Sequence, residues 1–250
     1  MKNLKISIIT VVKNNKDTIE KNILSLINQN YKNYEHIIID GGSEDGTIEV
    51  INKYKKDIKY FISEKDNGIY DAMNKGINKA EGDIIGILNA DDYYFSNALE
   101  IVKNYFEKYT EIDFLFGSVK KHTLQYGFYP KKILWTFGFY TSHSVGFFIK
   151  SEAQKKLGYY NIKYRYSSDY DLFFRMIVKF RMKGMATNKS EVMGHFGLSG
   201  LSSRLKYIDY LNENTQMRLD NGQNKIIVWC IHYLRFLKRI FRIIKEKNKT

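Results

Sequence analysis

Ile84-Ile85-Gly86-Ile87-Leu88-Asn89-Ala90-Asp91-Asp92 is the stretch on which the reading of this sequence turns. A run of bulky aliphatic residues, preceded by Gly82 and Asp83, ends abruptly in two carboxylates. A short continuous apolar run of this kind fits a central strand covered on both faces. In open α/β sheets, ligands bind in the crevice outside the carboxyl ends of the strands. Asn89, Asp91 and Asp92 fall where this strand would emerge. Adjacent Asp residues there suit a hard cation, Mg2+ or Mn2+, that keeps positions open for phosphate oxygens. Asp and Asn also favour turns, so the segment taken alone is equally compatible with a polar turn.

The flanking sequence alternates between strand and helix patterns. A strand over 5–12 precedes a helix over 17–29, where Ile19, Ile23, Leu24, Leu26 and Ile27 recur at mostly helical spacing. A strand over 35–40, a helix over 48–55, a strand over 58–62 and a helix over 69–80 lead into the quoted strand, and a helix over 96–109 follows it. This order predicts an α/β fold with a parallel, right-handed, doubly wound sheet. The second half is less regular: strands over 113–119 and 144–149 flank an aromatic-rich segment over 126–140. A helix over 169–180, a strand or loop over 185–195 and a polar helix over 201–218 follow. The expected organisation is one domain over 1–220, with 1–110 as the nucleotide-binding half and 111–220 as the acceptor half. A C-terminal helix over 221–250 completes it.

Composition narrows the class. With 44% hydrophobic and 15% aromatic residues among 250, the chain has ample material for a packed core. Cys230 is the only cysteine, which excludes an intrachain disulfide and any Cys-cluster metal site. The apolar run over 6–12 is short, ends at Lys13-Asn14-Asn15 and lacks a small-residue cleavage site, so a first strand is expected rather than a signal peptide. No window offers the ~20 apolar residues of a spanning helix. The net charge of +13 calls for an anionic partner: a nucleotide, nucleic acid or an acidic membrane surface. Zinc-finger spacing and RNP-like aromatic motifs are both missing, so nucleic acid is not expected.

Asp40 and Asp91 both end strands at the same sheet edge, where a carboxylate can accept from a base or a ribose hydroxyl. The turn Gly41-Gly42-Ser43-Glu44-Asp45-Gly46 is neither a dinucleotide fingerprint nor a P-loop. Asp71, Asn74 and Lys75 share one side of a helix near its N-terminus, a polar cluster suited to a ribose or diphosphate. Asp66 and Asn67, just before it, serve equally well as caps.

Four segments then occur in a telling order: Thr10-Val11-Val12-Lys13-Asn14, Asp40 through Thr47, Asp66 through Gly76, and Leu88-Asn89-Ala90-Asp91-Asp92. Together they resemble the family 2 glycosyltransferases, inverting enzymes of the GT-A fold that use nucleotide sugars. The likeness is strong over 4–110 and looser through His143–Phe148 and Ser168–Leu172. The resemblance implies that Thr10 and Asp40 contact the nucleoside, that Asp66, Asp71 and Asn74 face the donor, and that Asn89, Asp91 and Asp92 hold ribose, diphosphate and metal. Asn89 departs from the family pattern by supplying no charge, which makes Asp91 and Asp92 the expected metal anchors. The resemblance further implies a GT-A-type sheet, a divalent cofactor and a glycan or lipid-linked glycan acceptor, as in capsule or O-antigen assembly.

An inverting transfer needs a carboxylate that takes the proton of the acceptor hydroxyl as it attacks. Asp169 is the expected base and Asp171 the alternative, although both also suit the first turn of a helix. His143 is expected to border the acceptor side. His195, in the Gly/Ser-rich segment 194–202, is expected to reach the diphosphate from a loop that closes over the donor. In the tail, Ile227, Cys230, Ile231, Leu234, Leu237, Phe241 and Ile244 recur every three or four residues among Arg235, Lys238, Arg239, Arg242 and Lys245. A basic amphipathic helix of this kind reads as membrane-surface binding, which places the chain on the inner face of the cytoplasmic membrane. A helix packed on the domain or on a second chain accounts for the apolar stripe but not for the charge. The other readings are a nucleotidyltransferase, which would want a Gly-rich loop after the first strand, and a non-catalytic basic docking module.

Overall fold

The computed structural model describes residues 3–135, 139–197 and 206–247. β1 (Ile6–Val12) and β2 (Tyr34–Asp40) pair in parallel, with Ile6 opposite Tyr34 and Val12 opposite Asp40, and β3 (Tyr60–Ser63) lies beyond β2. β4 (Ile84–Ile87) takes the other edge of β1, with Ile9 opposite Ile87. Between the strands run α1 (Lys16–Ile27), α2 (Thr47–Lys53) and α3 (Ile69–Lys79), and α4 (Ala98–Lys108) follows β4. This first half is the parallel, doubly wound layer expected from the pattern. Every residue of β1 and β4 is buried, as a strand covered on both faces requires.

The second half departs from the expectation in instructive ways. The strand expected over 113–119 is two strands in two sheets, β6 (Phe114–Phe116) and β7 (Ser118–Lys120). The chain breaks at Gly117, whose N–H donates 2.7 Å to the Gly146 carbonyl, and β7 turns away to pair elsewhere. β9 (Phe147–Lys150) inserts antiparallel between β4 and β6, and β10 (Gly184–Ala186) closes the main sheet in the order β10-β6-β9-β4-β1-β2-β3. The sheet is therefore mostly parallel. A smaller sheet sits at its edge in the order β5-β11-β7-β8, made of β5 (Tyr93–Tyr94), β7, β8 (Leu124–Gln125) and β11 (Val192–His195).

α5 (Ser151–Leu157) follows β9, and α6 (Ser168–Phe174) passes into a π-helical turn over Arg175–Lys179 rather than continuing as one α-helix. α7 (Tyr207–Asp220) is the described part of the expected polar helix, since 198–205 lie outside the described residues. α8 (Lys225–Lys247) packs on it. The two faces of the main sheet are filled separately. Ile9, Val11, Ile85 and Ile87 pack with Phe116, Phe147 and Phe173 on one side, and Ile6, Ile8, Ile84 and Leu88 with Leu99, Val102 and Phe148 on the other. Burying side chains of this size contributes ~1.5–3 kcal/mol each, which holds the strand tips in fixed positions.

Candidate active site

The tips of β1, β2 and β4 converge at one edge. Asp40 closes β2 and is fully buried, and its carboxylate accepts from the N–H groups of Gly42 (3.0 Å) and Ser43 (2.9 Å) and from the hydroxyls of Ser43 and Ser63. It therefore fixes the turn that follows β2. Asp66 binds the Gly68 N–H at 2.9 Å, and its other oxygen presses on Gly41, where a β-carbon would stand 2.5 Å away, with the Lys13 chain on the same glycine. Asp71 accepts from the Asn67 N–H at 3.0 Å and lies 3.6 Å from Lys75. Two expected donor contacts point elsewhere. Thr10 is fully buried, its hydroxyl shared between Asn22 (3.2 Å) and His36 (2.9 Å), so this side chain ties β1 to α1 and β2 instead of facing a nucleoside. Asn74 makes a two-point clasp on the Tyr160 backbone, 2.9 Å each way, and so docks α3 rather than a ligand.

At the tip of β4 the three polar residues separate. The Asn89 backbone is held by Ser144 and Asn22, while its side-chain oxygen is buried without a partner. Asp92 is 1% exposed, with Oδ1 accepting from the Gly197 N–H at 2.6 Å and Oδ2 buried and unpartnered. Burial, reinforced by the neighbouring Asp91 charge, pushes the Asp92 carboxyl up to about 7. Asp91 is the half-buried member of the pair. Gly197 lies against it so closely that a β-carbon would meet its backbone oxygen at 2.4 Å and its carboxylate at 2.7 Å, so only glycine fits there. The strand that delivers Gly197 also stacks His195 on Tyr93, with ring centres 5.2 Å apart, and Lys21 Nζ lies 3.5 Å from the centre of the same Tyr93 ring. Burial, aided by Lys21 and Lys120, pushes the His195 pKa down. The remainder of the expected closing loop lies outside the described residues.

The opposite wall is built by α6 and the segment before β9. Asp169 accepts from the Tyr170 N–H at 2.8 Å, the Tyr70 hydroxyl at 3.2 Å and the Tyr140 hydroxyl at 3.4 Å. Burial, and then the Asp169 charge, push both of those phenols well above their ordinary range, so they remain donors. Tyr70 stacks on Tyr160 at 5.6 Å, and Tyr160 in turn meets His143, whose Nε2 lies 2.6 Å from its hydroxyl. Burial lowers the His143 pKa while Asp169 opposes the shift. Asp171 is turned away from this cluster. It is 3% exposed and bonded to Arg175 Nε (2.8 Å) and Asn221 (2.7 Å). The backbone leading into α6 is held by Glu213, which accepts from the N–H groups of Arg165, Tyr166 and Ser167 at 2.7–2.8 Å.

Lys121 is the residue that motif reading passes over. It follows β7, its Nζ stands 3.9 Å from the Phe196 ring centre, and among the described residues it has no ion pair. Burial lowers its pKa, opposed by the charges of Asp92 and of Asp169. One ammonium thus sits in the field of both walls. The only sequence signal for it is its place at the end of a strand, which the merged reading of 113–119 hides.

The mostly parallel main sheet, with the smaller sheet at its edge, is an α/β fold of the GT-A type. The family model of glycosyl transferase family 2 matches residues 7–179, and the chain belongs to that family. A Haemophilus influenzae protein described as an uncharacterized glycosyltransferase is 41% identical over 103 residues, covering 40% of this chain and 41% of that one. The chain thus spans less than half the length of that relative. Among solved structures, S. aureus TarS 1–349 in complex with UDP-GlcNAc matches 96% of this chain and 73% of its own at a TM-score of 0.71 and 16% identity. The Pyrobaculum calidifontis mannosyltransferase PcManGT, in complex with GDP-Man and Mn2+, matches 92% of this chain and 69% of its own at a TM-score of 0.65 and 15% identity.

Proposed function

We propose that this chain transfers a sugar from a nucleoside-diphosphate sugar to a hydroxyl of a growing glycan, with inversion at the transferred carbon. The observation that carries the reading is the tip of β4, where half-buried Asp91 stands beside the buried, unpartnered side-chain oxygens of Asn89 and Asp92 at the carboxyl edge of the main sheet. Family membership, and the nucleotide sugars held by the two structural neighbours, support the donor class. They also favour glycosyl transfer over nucleotidyl transfer or non-catalytic docking.

The donor wall would act as a rigid cradle. Asp40 keeps the Gly41–Ser43 turn in shape against the nucleoside, Asp66 and Lys13 line that end, and Asp71 fixes the start of the helix that carries Tyr70. The buried, unpartnered oxygens of Asn89 and Asp92 beside Asp91 fit a hard divalent cation. Among the described residues no cluster of three His, Cys, Asp or Glu forms a closed cage, so Mg2+ or Mn2+ here would keep phosphate and water oxygens in its shell. Asp91 would hold it, with Asp92 behind, and when bound it supplies positive charge to the departing diphosphate. Lys121 adds a second positive charge on the same side. Asp169 takes the proton from the acceptor hydroxyl as the oxygen attacks the anomeric carbon and the bond to the diphosphate breaks. Tyr70 and Tyr140 hold the carboxylate of Asp169 in place, and His143 buttresses the wall through Tyr160. His195, stacked on Tyr93, holds the strand whose end covers Asp91. A capsule or O-antigen glycan, free or lipid-linked, is the acceptor class this reading favours.

The test is a panel of nucleotide sugars with Mn2+ or Mg2+, following release of nucleoside diphosphate. Activity that disappears with a chelator and in Asp91→Asn is the expected result. Turnover indifferent to chelation would remove the metal from the reading, and pyrophosphate as product would overturn the reaction class.

A further inference from the structure

α8 is packed the unusual way round. Its contacts with α7 and the neighbouring segment are made by buried Val228 and Ile231, by His232 Nδ1 at 2.9 Å from the Thr215 hydroxyl, and by Arg235, which donates to Asn214 and the Trp135 carbonyl. Arg239 lies over the Tyr207 ring at 5.5 Å. Spacings of three, four and seven residues put all of these on one face. The opposite face carries Trp229, Tyr233, Leu234, Leu237, Phe241 and Ile244, which are 45–68% exposed. A surface helix of a globular domain ordinarily turns its apolar stripe inward and its charges outward. Here the inward face is rich in polar and cationic groups, and the apolar face looks outward along 23 residues, about 34 Å at the helical rise.

We propose that this outward face of α8 seats in the interfacial layer of an anionic lipid bilayer, lying in its plane. Among the described residues no helix is long and apolar enough to cross a membrane. Charge selects lipid over a second copy of the chain. α8 contains seven Lys or Arg against one acidic residue, and Lys225 and Lys238 fall at the borders of the apolar face. Two copies meeting face to face would bring those cationic borders together, whereas anionic headgroups neutralise them. The proposal rests on α8 and its surroundings, and it is independent of the catalytic reading.

Sedimentation of the full chain with phosphatidylcholine vesicles, with and without phosphatidylglycerol, tests it. The expected result is binding about tenfold or more tighter to the anionic vesicles and weakening as salt is added. Leu234→Asp with Phe241→Asp should lower that binding at least about tenfold. The melting temperature should stay unchanged, since both side chains are exposed. Equal vesicle binding by the double variant would overturn the proposal. So would an absence of vesicle binding accompanied by a dimer in light scattering that the double variant dissociates, because the face would then belong to a second copy.

Discussion

The strand-tip side and the α6 side of the candidate site satisfy their polar groups in different ways. In the turns after β2 and β3 the partners are mostly local: Asp40 binds Gly42 and Ser43, Asp66 binds Gly68, and Asp71 binds Asn67. Along α6 the partners come from far away in the chain. Asp169 meets Tyr70 and Tyr140, Asp171 meets Asn221, and the backbone before α6 rests on Glu213. A carboxylate bound to its own turn is placed as soon as the turn forms. One held by α3 and a distant loop is placed only when the whole domain has closed. The turns after β2 and β3 are therefore a preformed cradle, whereas the tip of β4, held by Ser144, Asn22 and Gly197, and the α6 side depend on elements from elsewhere in the chain.

The sharpest way to break this contrast is at the two aspartates of α6. Asp169→Asn should lower kcat by ~10²–10⁴ with donor affinity retained, as loss of a general base does. Turnover together with calorimetric donor binding separates the two quantities. Asp171→Ala should instead cost about 3 kcal/mol of stability, because it strips the carboxylate from a partly buried pair with Arg175. Urea denaturation reads that loss, and the activity of the folded fraction should persist. A folded Asp171 variant as inactive as Asp169→Asn would exchange the two roles.

Lys121 lies in the field of both Asp92 and Asp169, and the next largest effect is expected there. Lys121→Gln should lower kcat by about 10²-fold if its charge serves the leaving diphosphate, the size of effect seen when one preorganised stabilising group is lost. Lys121→Arg, which keeps the charge, should recover most of it. Equal losses in both variants would show that the position matters for packing on Phe196 and not for charge.

The same contrast explains how much could be read from the sequence. The turns after β2 and β3 were legible because their residues and their partners lie within a few positions of one another. The tip of β4 stood out only by its apolar run ending in carboxylates, its partners Ser144, Asn22 and Gly197 lying far off in the chain. Thr10 was misread because strand spacing gives the parity of a side chain but not which face opens to the cleft, and its face leads to Asn22 and His36. Asn74 shares a helical side with Asp71, yet the Tyr160 backbone, brought up from the second half, claims it. The tyrosines around Asp169 carry no local pattern at all. In α8 the apolar stripe and its basic flanks were visible, but not that Thr215 and Asn214 on α7 would hold the polar side.

The smallest predicted effect sharpens the contrast through two histidines, one behind each wall. His36 is 2% exposed against Thr10, and burial holds its pKa down to about 3. Its unfolded pKa is ~6.5, so below that pH the unfolded chain takes up a proton that the folded chain refuses. The stability His36 provides is thus present above ~6.5 and is lost progressively as pH falls toward about 3. Between pH ~7 and ~5 the loss is about 2 kcal/mol, at ~1.4 kcal/mol per pKa unit. His36→Gln should flatten the stability curve by that amount across this range, measured by urea denaturation at each pH. His143 is pushed the same way by burial, but the Asp169 charge opposes the shift. His143→Gln should therefore flatten the curve less. If it flattens it more, the field of Asp169 does not reach His143, and the acceptor wall is not the electrostatically connected unit that its tyrosines and carboxylate imply.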